Sequence, residues 1–479
     1  MHRRWIAVAV LASLVAASCG AGATRDDAAE GGGATTPTGS TPAGTGVKFG
    51  DLASPCGKAK DGVTPTVKAG ESGKGTDQLY IGIPNERTSQ IRAGLLAEMW
   101  DSSNAFVKWC NDQGGIDGLK IAPVDIDGQV LQVEAAMTTA CTSVFALVGG
   151  GFAQDNQIFT GKPGSDFHQC KLVSVAGFAV STEVSEGSGI VQPLPNPSHV
   201  RAANYFFELA KLYPDKVGRT VAAYGDFPAL RLNKEQNKLT AQQVPGFGFI
   251  DDISYAPSGQ DFKVTAQQII DSGATAVNFV GEPENFAQLQ NFLDEGGYSG
   301  LIFADANHYD PLLFSQGPAA VEGTIIRLAI HPFEEADKWP ATQQWLDIMK
   351  KDGVPDAKIA ALGVQSFSAW LLFATAAKNC IEGAGAGVLS RGCMLDEAFK
   401  INDWTGGGLH ATAHPGTNTP PECSLIIKAV DGKFVRAYPE VGSPEDKGGF
   451  SCAEDSLVKI SGDSLGAGKI DPSYPSFKP

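Results

Sequence analysis

The chain has 479 residues, a formal net charge of −16, 43% hydrophobic residues and 19% charged residues. That length and apolar content allow two or three domains with buried cores. The acidic balance excludes a nucleic-acid partner, because phosphate binding needs clustered Lys and Arg.

The N-terminus reads as an export signal. Arg3 and Arg4 supply positive charge, Trp5 to Val15 carries none, and three small residues, Ala16 to Ser18, precede Cys19. The apolar run is too short for a ~20-residue membrane span. A small-residue run that closes on Cys resembles the bacterial lipobox, in which the Cys becomes the lipid-bearing first residue; Ala16 departs from it, standing where Leu is usual. The expectation is a signal peptide over 1–19 with lipidation at Cys19. The protein is then exported and anchored by lipid to the outer face of the cytoplasmic membrane; plain secretion is the alternative. Gly20 to Phe49 is rich in Gly, Ala, Thr and Pro and is read as a flexible tether. Tether and N-terminal arm together span 20–76.

Cys19 set aside, eight cysteines remain: Cys56, Cys110, Cys141, Cys170, Cys380, Cys393, Cys423 and Cys452. An even number in an exported chain points to disulfides, and no close Cys/His spacing supports a metal instead. Counting alone leaves the connectivity open.

From Leu79 onward short apolar strands alternate with amphipathic helices. Strands are expected at Leu79–Ile83, Lys120–Ile126, Val144–Val148 and Lys171–Val175, with helices at Gln90–Asn111 and Val133–Thr142. Gly114 and Gly115 stop the first helix. After Pro193–Pro197 a second run follows. Its strands are Arg219–Tyr224, Phe247–Ser254, Ala276–Val280, Leu301–Ala304 and Thr324–Ala329, and its helices are Phe262–Ser272 and Asn285–Glu295. Such alternation implies parallel sheets with right-handed crossovers, and two runs imply two lobes. Helices at Gln343–Lys351, Val364–Asn379 and near Leu395–Lys400 come next. Two strands then flank Asp431-Gly432, a strong hairpin signal. The end of the chain is rich in Gly, Pro, Ser and Asp.

Phe106 to Ile121, with its helix followed by Gly-Gly-Ile-Asp-Gly-Leu-Lys-Ile, resembles a turn of the leucine/isoleucine/valine-binding family of ABC-transporter substrate-binding proteins. Cys141 to Gly149 resembles that family's third strand. Asp261-Phe262 with Ser272 to Phe279, Gly317 to Gly323, Trp404 to Leu409 and Val430 to Phe434 continue the likeness in order. Together they cover about Leu79–Val435. The resemblance implies an α/β fold of the type I periplasmic-binding kind, with two Rossmann-like lobes on parallel sheets joined by a three-crossover hinge. It divides the chain into a first lobe over 77–195 and 326–403, a second over 196–325 and 404–440, and a C-terminal tail over 441–479. A small molecule would sit in the cleft beyond the strand ends. Partners would be that ligand and an ABC-transporter permease, with the protein a monomer and no cofactor or metal. In the family's strand order the second and third helices cover one sheet face, which pairs Cys141 with Cys170. Cys110, on the opposite face, is left to Cys56 in the arm; Cys380–Cys393 and Cys423–Cys452 follow as local pairs.

The loops after strands are the candidate cleft walls. In the family's amino-acid binders the loop after the third strand offers a hydroxyl; here Ala153 occupies that place, with Gln154 beside it. After the fourth strand Phe178 stands in a hydroxyl's place, followed by Ala179. Exposed backbone N–H groups of these Gly-rich loops are further candidates for holding an anion. Across the cleft Asp305 and Glu282 are candidate acids for an ammonium group, and Tyr224 and Phe227 are candidate ring-stacking residues. His308 is read as a surface histidine. Gly462 to Gly466 spells an esterase-like Gly-Asp-Ser-Leu-Gly around Ser464, but a nucleophile elbow needs a strand before it and a helix after it, and no histidine follows His414. Gly70 to Thr76 hints at a phosphate loop but precedes the first strand. Capture of a small, apolar or aromatic molecule without catalysis is the reading. A ligand-sensing receptor lobe is the alternative, and a secreted esterase the remote one.

Overall fold

Continuously apolar runs form the central strands of two sheets, as expected where helices cover both faces. The structure, a computed structural model, describes residues 47–256, 259–383 and 385–474. Cys19, the signal segment and the tether as far as residue 46 lie outside the described residues.

The first sheet contains β1 (Leu79–Asn85), β2 (Ile121–Asp127), β3 (Ala146–Val148), β4 (Ser174–Val175) and β5 (Ile190–Val191), in the order β2-β1-β3-β4-β5 and parallel throughout. Helices α1 (Ala97–Gln113) and α2 (Val133–Ser143) connect its first strands. After β5 the chain crosses to α3 (Asn204–Leu212), β6 (Thr220–Gly225), α4 (Pro228–Ala241), β7 (Phe249–Tyr255), α5 (Phe262–Asp271), β8 (Ala276–Val280), α6 (Pro283–Glu295), β9 (Leu301–Ala304) and β10 (Ile325–Leu328). It then returns to the first lobe, where α7 (Pro340–Asp352) and α8 (Ala361–Glu382) pack on α1, and α9 (Arg391–Ala398) packs on α8. A third crossing leads to β11 (Leu425–Val430) and β12 (Lys433–Tyr438). The second sheet runs β7-β6-β8-β9-β10-β11-β12, parallel as far as β10 and antiparallel for the last two strands.

An aromatic cluster holds the first lobe together. Phe106 stacks on Trp370 of α8 at 5.3 Å between ring centroids, and Phe367 lies 5.2 Å from Phe106. In the second lobe Phe279 stacks on Phe286 at 4.3 Å. All four disulfides, Cys56–Cys110, Cys141–Cys170, Cys380–Cys393 and Cys423–Cys452, are formed as the resemblance implied.

Three local expectations need correction. The first helix begins at Ala97 rather than Gln90, because Gly94 (φ +79°) and Leu96 (φ +58°) are left-handed and cannot continue a helix. The tether ends earlier than Phe49: that ring is fully buried and packs on Phe367 at 5.0 Å, which docks the arm. The C-terminal tail over 441–479, to which no element was assigned, carries a strand. Leu457–Lys459 pairs antiparallel with Val200–Ala202, and Tyr474 packs on Phe167. Helices α3 and α4 were not expected at all, although Pro228 at the first position of α4 is a start signal.

Candidate ligand-binding cleft

Loops at the carboxyl ends of β3, β4, β6, β8 and β9 converge on one cavity of about 470 Å3, lined from both lobes. That volume lies in the ~300–1,000 Å3 range usual for small-molecule sites. The first lobe also sends the loop before α1 into it, carrying Ile91, Arg92, Leu95 and Leu96. This loop was read as helix, and the glycine at 94 was the signal against that reading.

Of the residues singled out from sequence, Ala153, Phe178, Ala179, Phe227, Glu282 and Asp305 line the cavity. Gln154 does not: its amide turns back to donate to the Val130 carbonyl at 3.0 Å and accepts from Gln157 at 2.7 Å. Tyr224 does not either; its ring lies beneath the Lys234 ammonium, 5.1 Å from its centroid. His308 is buried rather than superficial. Burial lowers its pKa to about 4, and its Nδ1 lies 3.1 Å from the Asp305 carbonyl.

One wall is apolar. Leu95, Leu96, Val130 and Leu362 form a cluster with Met99, and Ala153, Phe178 and Phe227 pack against it. Phe227 comes from the second lobe, so this wall spans the cleft. The two glycine loops behind it interlock: a Cβ on Gly177 would lie 2.5 Å from the Gly149 carbonyl oxygen.

Two ionic bridges also cross the cleft. Arg92 lies 2.9 Å from Glu282 and donates from Nη2 to Glu284 at 3.0 Å. Burial works against the Arg92 charge, but Glu282 and Glu284 outweigh it and raise its pKa. Lys358, in the segment before α8, lies 2.6 Å from Asp310 of the second lobe and 3.1 Å from Glu98 of α1. Both bridges join the first lobe to the second.

The amides of the two loops are largely engaged by protein. The Ala153 N–H donates to Glu86 at 2.8 Å, and the N–H groups of Val180 and Ser181 donate to Asp155 at 2.7 Å and 3.0 Å. The Gly177 N–H donates to the Gly150 carbonyl at 3.1 Å. These loops therefore offer an incoming anion less than their glycines suggested.

Glu86 is fully buried, and burial raises its pKa from 4.5 to about 7. Its folded form binds a proton more tightly than its unfolded form, so its contribution to stability is present below pH 4.5 and is lost as pH rises towards 7. At roughly 1.4 kcal/mol per pKa unit the loss is at most about 3.5 kcal/mol. Thermal unfolding of Glu86→Gln at about pH 5 and about pH 8 checks this. The variant should lose less stability than the wild type between the two; equal losses would refute it.

Among the described residues no helix is long and apolar enough to cross a membrane, and no group of His, Cys, Asp and Glu is placed to hold a metal ion. Ser464 sits in the short turn Asp463–Leu465. A three-residue strand lies shortly before it, but no helix follows among the described residues, so the strand–turn–helix of a nucleophile elbow is not formed.

Two parallel-sheet lobes, three crossings and a cavity between strand ends define a type I periplasmic-binding fold. Residues 78–433 match the family described as periplasmic binding protein, and the chain belongs to that family. Its fold is shared by a leucine-binding protein from Thermotoga maritima, with 17% identity and a TM-score of 0.60 over 75% of this chain and 97% of that one. A branched-chain amino acid substrate-binding protein from Streptococcus pneumoniae in complex with isoleucine gives 16% identity and a TM-score of 0.60 over 75% and 100%. A fatty acid ABC-transporter substrate-binding protein from Thermomonospora curvata gives 17% and 0.60 over 79% and 95%. No curated protein sequence matches the chain significantly.

Proposed function

We propose that the protein is an extracytoplasmic solute-binding lipoprotein, held at the membrane by lipid on Cys19, which captures a small apolar or aromatic molecule and delivers it to an ABC importer. The observation that carries this reading is the cavity walled by both lobes. A ligand there contacts both halves and favours the closed state, which a permease then reads. In this reading the lobes divide at 195/196, 325/326 and 403/404, Ala153, Phe178, Ala179, Phe227, Glu282 and Asp305 contact the ligand, and the protein acts as a monomer. A receptor lobe that senses without transport is the alternative.

A thermal-shift screen of amino acids, amides, fatty and aromatic acids and sterol fragments tests the reading. A true ligand stabilises by about 2.7 kcal/mol at a hundred times its Kd, and Phe178→Ala should weaken it about tenfold. If no compound shifts unfolding, solute capture is wrong. Loss of cellular uptake of the hit on deleting the chain favours transport, and unchanged uptake favours sensing. Membrane fractionation of Cys19→Ala tests the anchor; a variant that stays membrane-bound contradicts lipidation. Leucine, isoleucine and valine should bind weakly, since Ala153 and Phe178 offer no hydroxyl and each unpaired buried polar group costs roughly 1–3 kcal/mol. A low-micromolar Kd for any of them by calorimetry would overturn that expectation.

A further inference from the structure

The charged groups lining the cleft are not equally partnered. Five of the six acidic side chains among them already face a cation: Glu282 and Glu284 face Arg92, Glu98 and Asp310 face Lys358, and Asp305 lies 3.2 Å from Arg327, while Glu422 is exposed to solvent. An ammonium group entering the cleft meets only one carboxylate without a cation among the described residues, the solvent-exposed Glu422.

The arginines differ. Arg201, on the strand Val200–Ala202 beside the first crossing, has no carboxylate within ion-pair reach among the described residues. Its Nη1 donates to Asn196 Oδ1 at 2.6 Å and to the Pro197 carbonyl at 3.1 Å, and its other guanidinium N–H groups make no hydrogen bond among the described residues. Arg327, on β10, shares the cavity; its Nε is buried and makes no hydrogen bond despite the proximity of Asp305. Among the described residues Asp305 is thus the one carboxylate within ion-pair reach of either guanidinium, and it reaches only Arg327. Burial, with Arg327 nearby, lowers the Arg201 pKa to about 10, the direction expected of a buried cation that lacks its counter-ion.

We propose that the ligand is an amphipathic carboxylate without an ammonium group, its carboxylate held by Arg201 and Arg327 and its apolar body lying on the wall of Leu95, Leu96, Val130, Phe178 and Leu362. The inference rests on the reading of this cleft as a solute site and narrows it. The physical basis is pairing: hydrogen bonds between guanidinium and carboxylate are charge-assisted and often bidentate, and Arg201 and Arg327 have N–H groups left to make them. The engaged loop amides leave these two side chains as the cleft's main anion-holding groups. The apolar wall supplies the complementary preference for a body that sheds water.

Calorimetry on the intact protein with octanoate against octanamide, and phenylacetate against phenylacetamide, tests the proposal without any substitution. At least one acid should bind about tenfold or more tightly than its neutral amide, and Arg201→Gln should remove most of that difference by weakening the acid more than the amide. The aliphatic and aromatic pairs separate two sources of the same chemistry, a lipid-like and an aryl acid. If each amide binds as well as its acid, or neither acid binds while another compound of the wider screen enters the cleft in a Phe178-dependent way, the carboxylate assignment is wrong and solute capture stands. If nothing binds at all, both fall.

Discussion

Replacing Cys56 and Cys110 together with Ser is expected to lower stability by about 4 kcal/mol. The bond joins residues separated by 54 positions, and closing a loop of that length removes more unfolded-state entropy than closing a short one. Cys380–Cys393 spans 13 positions, and its removal should cost about 1 kcal/mol less. The longer bond also pins the N-terminal arm, which otherwise docks through Phe49 and a two-residue pairing of Thr66–Val67 with Val388–Leu389. Cys110 lies in α1 well away from the cleft loops, so ligand affinity should be retained while the denaturation midpoint falls. Equal midpoints for wild type and the double variant would contradict the entropic argument.

Arg391→Met should cost about 3–5 kcal/mol, since each buried acceptor left unpaired costs roughly 1–3 kcal/mol. This side chain is 9% exposed and its guanidinium donates only to backbone carbonyls: Nε to Phe145 at 2.7 Å, Nη2 to Val144 at 2.9 Å, and Nη1 to Cys170 and Lys171 at 3.0 Å each. Those carbonyls belong to the segments that lead into β3 and β4. Met keeps the apolar stem but leaves four oxygens without donors. Arg391→Lys should fall between, because an ammonium acts from one point and cannot reproduce the planar fork. Since β3 and β4 carry the loops of Ala153 and Phe178, ligand affinity should fall together with stability. Chemical denaturation and calorimetry read both effects, and an unchanged midpoint in the Met variant would refute the assignment.

Much of the fold was legible because it is written in short-range pattern. The alternation of apolar strands and amphipathic helices set the α/β class and the number of lobes. Asp431-Gly432 marked the hairpin of β11 and β12, and Ala276–Val280 and Leu301–Ala304 were read to the residue. The candidate site was legible only as loops. Chain position identified which loops follow strands, but not which way a side chain turns, so Gln154 and Tyr224 were included and Arg92, Arg201 and Arg327 were missed. Arg92 was hidden inside a helical pattern. Arg201 stood on a segment to which no element was assigned, and Arg327 on one read as a strand.

The sequence by itself determined most of the strands, the two-lobed class, the even set of cysteines and an acidic balance that argues against a nucleic-acid partner. These follow from local periodicity and composition, which record how much of each segment is buried. Only the tertiary structure decided what each segment is buried against. Arg391 meets Phe145 across 246 positions, and Arg92 meets Glu284 across 192. No periodicity encodes such pairs, because the free energy that selects them appears only when both partners have left water together.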